Sequence, residues 1–236
     1  VFIVITAAYQ TYARLFRGFV FESSSAETQM EAVVNTNLFR LDIAHAGYGL
    51  RRDTSNDFPV GWDNSNKILT LRSTIDNLNR DSLGWVLCNN GTIIQDNNNS
   101  SLNTSVFLDK DKMFASSGNS SCPDSGIYLG YPYNGTSPPS GCSDQPCYTV
   151  TYALSSSQPL SDCAAGTGNL QRAVSGGSNW RPMINCVADW QMAFERDTDG
   201  DGAIETLSTD ISSLTVAGCY EQIEQVYVYV LIQEGS

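Results

Sequence analysis

The amino-acid sequence predicts an α+β fold, with a long N-terminal stem helix packed on a mainly antiparallel β-sheet head. Three observations carry this expectation. Apolar residues recur in steps near three and four through the first fifty positions, and no proline interrupts them before Pro59. From about residue 55 the pattern changes to short segments that alternate apolar and polar residues. Between those segments run stretches rich in Ser, Asn, Gly and Pro, the composition of loops.

The stem comes first. Val1–Ala8 is wholly apolar or small, and Tyr9, Tyr12, Leu15, Phe16, Phe19 and Val20 extend one helical stripe. Ala26, Met30, Val33, Leu38, Leu41 and Ala44 continue it, and Gly47 and Gly49 supply a stop. A continuous helix of this length would measure about 65 Å at 1.5 Å per residue, so its first half is expected to project from the head. The apolar start is too short to cross a bilayer, which takes about 20 residues. It reads as the end of a longer membrane segment or as a helix that packs against copies of itself. The expected organisation is a stem over 1–50, divided into an apolar assembly half (1–21) and a head-packing half (22–50), followed by a head over 51–236.

In the head, strands are expected at Lys67–Ser73, Trp85–Cys88, Val106–Leu108, Cys147–Leu154, Met183–Phe194 and Gln225–Gln233. Long Asn/Ser-rich loops are expected over about 89–145.

Composition bounds the function. The chain has 236 residues, a formal charge of −12 and one histidine, His45. An acidic surface lacks the counterion-release term that grips a phosphate backbone, which argues against general nucleic-acid binding. Zinc sites built on several histidines are excluded. Hydrophobic content of 41% is that of a folded chain. The seven cysteines, Cys88, Cys122, Cys142, Cys147, Cys163, Cys186 and Cys219, show no metal-ligand spacing and read as disulfides of an oxidising compartment. Cys142 and Cys147 make the easiest local loop, the remaining pairing is open, and the odd count leaves one thiol free or paired between chains. Six Asn-x-Ser/Thr sequons, at Asn90, Asn98, Asn99, Asn103, Asn119 and Asn134, offer sites for glycans if the host attaches them.

The motif with chemistry is the run from Asp197 to Glu205, DTDGDGAIE. Carboxylates at alternate positions with a following glycine let a tight loop aim several oxygens at one point, the arrangement that a hard cation such as Ca²⁺ requires. Asp197, Asp199 and Asp201 take positions one, three and five of an EF-hand-type loop. Ala203 offers a backbone carbonyl at seven, Ile204 an anchor into the core, and Glu205 a ligand at nine. Position twelve is Ser208 and not the bidentate glutamate, with Asp210 the nearest replacement. A structural ion is expected there, not a sensor. His45 reads as a helix-end residue. No serine has a base partner in a recognisable triad, and there is no phosphate loop or dinucleotide fingerprint, so an enzyme is not expected.

Several segments in order resemble type IV pilins, specifically the PilW-like minor pilins. Phe39–Leu50 (FRLDIAHAGYGL) is similar to that family's end-of-stem sequence. Tyr152–Leu154 and Asn169–Arg172 resemble its strand-and-turn segment, Val187–Glu205 its strand and acidic loop, and Val226–Gln233 its closing strand. The stretch from about 89 to 145 has no counterpart, and the family's leader, cleavage site and N-terminal glutamate are not seen before Val1. The resemblance implies a pilin-like stem and head. Val1–Phe21 would pack in a filament core, Ala26–Ala46 would pack on the head, and Asp197, Asp199 and Asp201 would be metal ligands. It further implies a structural subunit of a type IV pilus-like extracellular filament, held in the inner membrane before assembly and joined to other pilin subunits through residues 1–21. Two alternatives are a low-copy pilin at the tip that primes assembly or carries an adhesin, and a membrane-anchored calcium-binding adhesion module that does not polymerise.

Overall fold

The computed structural model describes residues 33–52, 57–78, 84–96, 105–111, 113–119, 121–132, 147–155, 163–174 and 179–233. The chain divides into two compact units, Val1–Phe39 and Arg40–Ser236. In chain order the described elements are α1 (33–44), β1 (Val60–Asp63), β2 (Ile68–Ser73), β3 (Val86–Asn89), β4 (Thr92–Asp96), β5 (Ser105–Leu108), β6 (Phe114–Asn119) and β7 (Ile127–Pro132). There follow β8 (Tyr148–Ser155), β9 (Gly168–Val174), β10 (Arg181–Arg196), β11 (Thr206–Ser208), α2 (Val216–Gln222) and β12 (Ile223–Ile232).

The expected α+β, pilin-like fold built on a long stem is corrected by this element list: the described chain is mostly β, with two short helices. The assembly half expected at 1–21 lies outside the described residues. Within α1 the expected stripe is not the buried face, for Val33 is 61% and Leu41 47% exposed while Phe39 and Asp42 are buried. Apolar periodicity cannot register a face whose central residue is a carboxylate. Gly47 ends the helical segment as expected. It has a φ of +77°, and a Cβ there would come within 2.6 Å of the Tyr220 ring, so only glycine fits. Among the described residues no helix is long and apolar enough to cross a membrane.

Seven strands form one antiparallel sheet in the order β1-β2-β8-β9-β10-β11, with β12 also on β10. Phe194–Arg196 pairs with β11, and the same stretch pairs with β12, so these two lie on opposite edges of β10. The sixteen-residue β10 is therefore the spine of the sheet. Alternation sets the inner face: Leu69, Leu71, Val150, Tyr152, Leu170, Trp190, Met192 and Phe194 are buried. Trp62 meets Trp190 edge-on with centroids 5.0 Å apart, and the Trp190 indole N–H donates to the Lys67 carbonyl at 3.1 Å.

A second antiparallel sheet has the order β4-β3-β7-β5-β6. Composition marked about 89–145 as loops, yet β4, β6 and β7 fall inside that stretch. β6 reads FASSGN, which has little strand propensity of its own. It is held by pairing with β5, a case of tertiary context overriding local preference. Two small clusters support this sheet, Val86, Cys88, Phe107 and Cys122 in one and Val106, Leu108 and Tyr131 in the other. Tyr48, just past α1, packs edge-on against Tyr131 at 5.1 Å.

One buried ion pair ties the end of α1 to the larger sheet. Asp42 Oδ2 accepts from Tyr152 Oη at 2.6 Å and Arg172 Nε at 2.7 Å, and its Oδ1 accepts from Asn77 Nδ2 at 2.7 Å. Arg172 Nη2 also donates to Asp76 Oδ1 at 3.2 Å. Burial pushes the Tyr152 phenol far above its ordinary value, and the Asp42 charge adds to this. Burial works against the Arg172 charge, but its contacts with Asp42 more than reverse that, so the guanidinium stays protonated. His45 has a structural role, its Nδ1 lying 2.8 Å from Asn77 Oδ1.

Cys88–Cys122 fastens β3 to the segment after β6, and Cys163–Cys186 fastens the start of β10 to the segment before β9. The loops span 34 and 23 residues. Chain entropy alone makes each bridge worth about 3–4 kcal/mol. Cys147 is also disulfide-bonded, and Cys142 lies outside the described residues. Cys219 is a free, buried thiol, so it is not placed to bridge chains.

Two outcomes follow from this packing. Asp42→Ala leaves the Arg172 charge buried without its main partner and should cost about 3–5 kcal/mol in urea unfolding; a loss below about 1 kcal/mol would show that the pair does not hold the helix end. Burial raises the Cys219 thiol to about 11. Between the ordinary thiol value near about 8.5 and that value, the folded chain keeps a proton that the unfolded chain releases, so this group's contribution to stability falls as pH rises through the window. Mapping of iodoacetamide adducts should therefore find Cys219 labelled at pH 8 only after denaturation, and labelling of the native protein would contradict its burial.

Candidate metal centre

The site sits where β10 ends. Arg196 pairs with Thr206 across the start of a hairpin, and the intervening residues 197–205 form its loop. Glu205 N–H donates to the Arg196 carbonyl at 3.1 Å and closes the base. On the other side Asp197 N–H donates to the Gln222 carbonyl at 2.9 Å, and Arg196 Nη2 to Gln222 Oε1 at 2.6 Å. The loop is thus tied to the junction of α2 and β12. The opposite, N-terminal end of α2 is capped: Thr215 Oγ1 accepts from Gly218 N–H at 3.0 Å, an arrangement worth about 1 kcal/mol.

Asp197 organises the loop from within. Its Oδ1 accepts from Gly200 N–H at 2.6 Å and its Oδ2 from Gly202 N–H at 2.8 Å. These two backbone donors, Gly202 foremost, hold its carboxyl below the usual carboxylate range. Gly202 has a φ of +86°, a conformation that costs an L side chain about 1–2 kcal/mol. Asp199 Oδ1 accepts from Asp201 N–H at 3.2 Å, and Asp201 Oδ1 from Ala203 N–H at 2.7 Å. Glu205 Oε2 accepts from Thr198 N–H at 2.6 Å and from its hydroxyl at 3.2 Å.

The result is convergence. One carboxylate oxygen from each of Asp197, Asp199, Asp201 and Glu205 lies within 4.8 Å of the others, with Asp197 buried and the rest exposed. Four anions at that spacing repel by about 1 kcal/mol per pair even in bulk water. The four residues could hold a metal ion, which would reverse that repulsion.

Four of the five expected ligands are brought together, and Ala203 stands beside them with its N–H engaged by Asp201. Ile204 is 49% exposed, so the expected anchor into the core is corrected: the Asp197 and Gln222 bonds fix the loop instead. Asp210 does not fill position twelve. Its carboxylate accepts from Ser212 N–H at 2.8 Å, and Ser208 Oγ donates to the Asp210 carbonyl at 2.7 Å. Sequence reasoning missed Thr198 and Gln222. Thr198 follows the first aspartate and was readable as a local donor, whereas no sequence signal points to Gln222.

Of the sequon asparagines, Asn90 sits in the β3–β4 turn with its Oδ1 accepting from Gly126 N–H at 2.8 Å. Asn119 ends β6, and Asn98, Asn99, Asn103 and Asn134 lie outside the described residues.

Shortening the backbone freedom of the loop gives a local test. Gly202→Ala should lower the melting temperature by a few degrees, consistent with about 1–2 kcal/mol of backbone strain. Unchanged melting would mean that the turn at 202 is not needed.

Compared with known proteins, the chain matches no protein-family model, no curated protein and no solved structure.

Proposed function

We propose that the chain is a structural subunit of a type IV pilus-like extracellular filament, assembled through its apolar residues 1–21, with a head stabilised by Ca²⁺ at the 197–205 loop. The observation that carries this reading is a convergence in space. Asp42, Tyr152 and Arg172 belong to three separate segments that resemble the PilW-like pilins, and their side chains meet in one buried cluster. Chance likeness in three short segments gives no reason for such a meeting. The disulfides agree with an oxidising, exported setting.

Calcium is favoured by size and charge. Oxygens within 4.8 Å of one another fit the shell of Ca²⁺, about 4.6–5.2 Å across, better than the Mg²⁺ octahedron of about 4.0–4.2 Å. Three aspartates and one glutamate are hard oxygen donors with no softer ligand among them. The role is structural, because the ion joins a loop tied to both β10 and the start of β12.

Two measurements test the two parts of the proposal. Adding Ca²⁺ should raise the melting temperature and protect 197–205 from protease, chelation should reverse both, and D199N with D201N should abolish the response; a melting curve indifferent to chelator would reject a structural ion. Electron microscopy of native material should show residues 1–21 in the centre of a helical filament, and deletion before Tyr9 should abolish assembly. Filaments unaffected by that deletion would reject the assembly role, and density restricted to a tip would favour the priming or adhesin-bearing subunit.

A further inference from the structure

The larger sheet ends in an edge that no described residue covers. β12 pairs with β10 alone, and its one further backbone bond is from Ala164 N–H to the Gln233 carbonyl, just past the strand's end. An open strand edge is a row of unsatisfied donors and acceptors that templates pairing with another chain. Natural sheets guard such edges with lysine, proline or a bulge. Neither lysine nor proline guards the described strand, and its 226–231 stretch carries no bulge. Residues 226–232 read VYVYVLI, without charge or proline. The register of 226–231 against β10 runs without a shift, the irregularities falling between Val187 and Asp189 and between Glu195 and Arg196. The outward face is apolar as well: Tyr229 is 55% and Leu231 62% exposed, and Tyr227 stacks on Tyr229 with centroids 6.4 Å apart.

We propose that this edge pairs antiparallel with the same edge of a second copy, about a two-fold axis at Tyr229. The choice of partner rests on charge and self-complementarity. A chain of net charge −12 repels its own copies at most approaches, but 226–232 carries no charge to oppose contact. A two-fold centred on Tyr229 sets Val226 against Ile232, Tyr227 against Leu231 and Val228 against Val230. No other centre folds the uncharged run 225–233 wholly onto itself; the nearest charges, Glu224 of one copy and Glu234 of the other, fall just beyond it at each end, so added salt should strengthen the pairing. It also keeps Tyr227, Tyr229 and Leu231 of both copies on one face, joining two exposed apolar strips. Such an isologous contact closes on itself and yields a dimer, not an open fibre. Seven residues span about 24 Å of strand. A single pair of short strands is marginal by itself, so the pairing is concentration-dependent.

The pairing uses residues remote in sequence from 1–21 and does not depend on the filament reading. Its register gives a sharp test in the full chain. Tyr229→Cys places two thiols directly opposite each other, with Cα atoms about 4.5–5.5 Å apart, inside the disulfide range. Tyr227→Cys places its two thiols four residues apart along the strands, about 14 Å, and serves as the control. Under mild oxidation the first variant should run as a dimer on a non-reducing gel and the second as a monomer, and deletion before Tyr9 should leave this difference intact. Cross-linking of both, of neither or of Tyr227→Cys alone would overturn the proposal. In the unmodified protein, amide exchange across 226–232 should slow as concentration rises, and exchange independent of concentration would also overturn it.

Discussion

The buried pair of Asp42 and Arg172 is the constraint on which the rest of the larger unit depends. Both side chains are almost fully removed from water, 2% and 3% exposed. Neither charge is tolerable there without the other and without the extra donors and acceptors from Tyr152, Asn77 and Asp76. The cluster therefore requires three things at once: the last turn of α1, the central strands β8 and β9, and the segment after β2. A hydrophobic contact would tolerate sliding by part of a turn. A carboxylate gripped by a guanidinium and a phenol does not, so the pair sets register as well as adding stability.

From that fixed point the geometry propagates along β10. One end of the strand is pinned by Cys163–Cys186, and its middle by Trp190 against Trp62. Its far end opens into the acidic loop, with β11 on one edge and β12 on the other. A loop of four carboxylates would by itself be floppy and self-repelling. Here it starts and ends on a paired strand, and Gln222 receives both the Asp197 N–H and the Arg196 guanidinium. The scaffold thus holds the four carboxylates together, and the same strand pairs with β12 along its other edge.

Much of this was legible in sequence where the signal was local. Alternation at 67–73, 147–154, 183–194 and 225–233 marked strands that the structure contains at 68–73, 148–155, 181–196 and 223–232, because side-chain period reports directly on a half-buried ribbon. The acidic loop was legible residue by residue, since its contacts are made within nine positions. The five-stranded sheet was legible only in part: 85–88 and 106–108 read as strands, whereas β4, β6 and β7 fell in a stretch whose Asn/Ser-rich composition marked it as loop, and β6 shows as a strand only through its pairing with β5. The buried face of α1 was misread for a related reason: an aspartate scores as surface until its arginine, 130 residues away, is known.

The sequence alone therefore determined the alternating strands, the convergence of Asp197, Asp199, Asp201 and Glu205, and the acidic, cysteine-bearing character of the chain. All of these follow from spacing along the backbone. Only the tertiary structure decided that the described chain is mostly β, that Cys219 is a free thiol, how Asp42 is buried and which strand edge no described residue covers. Each of those depends on contacts between residues far apart in sequence, and the free energy of such contacts is set by what is excluded from water together.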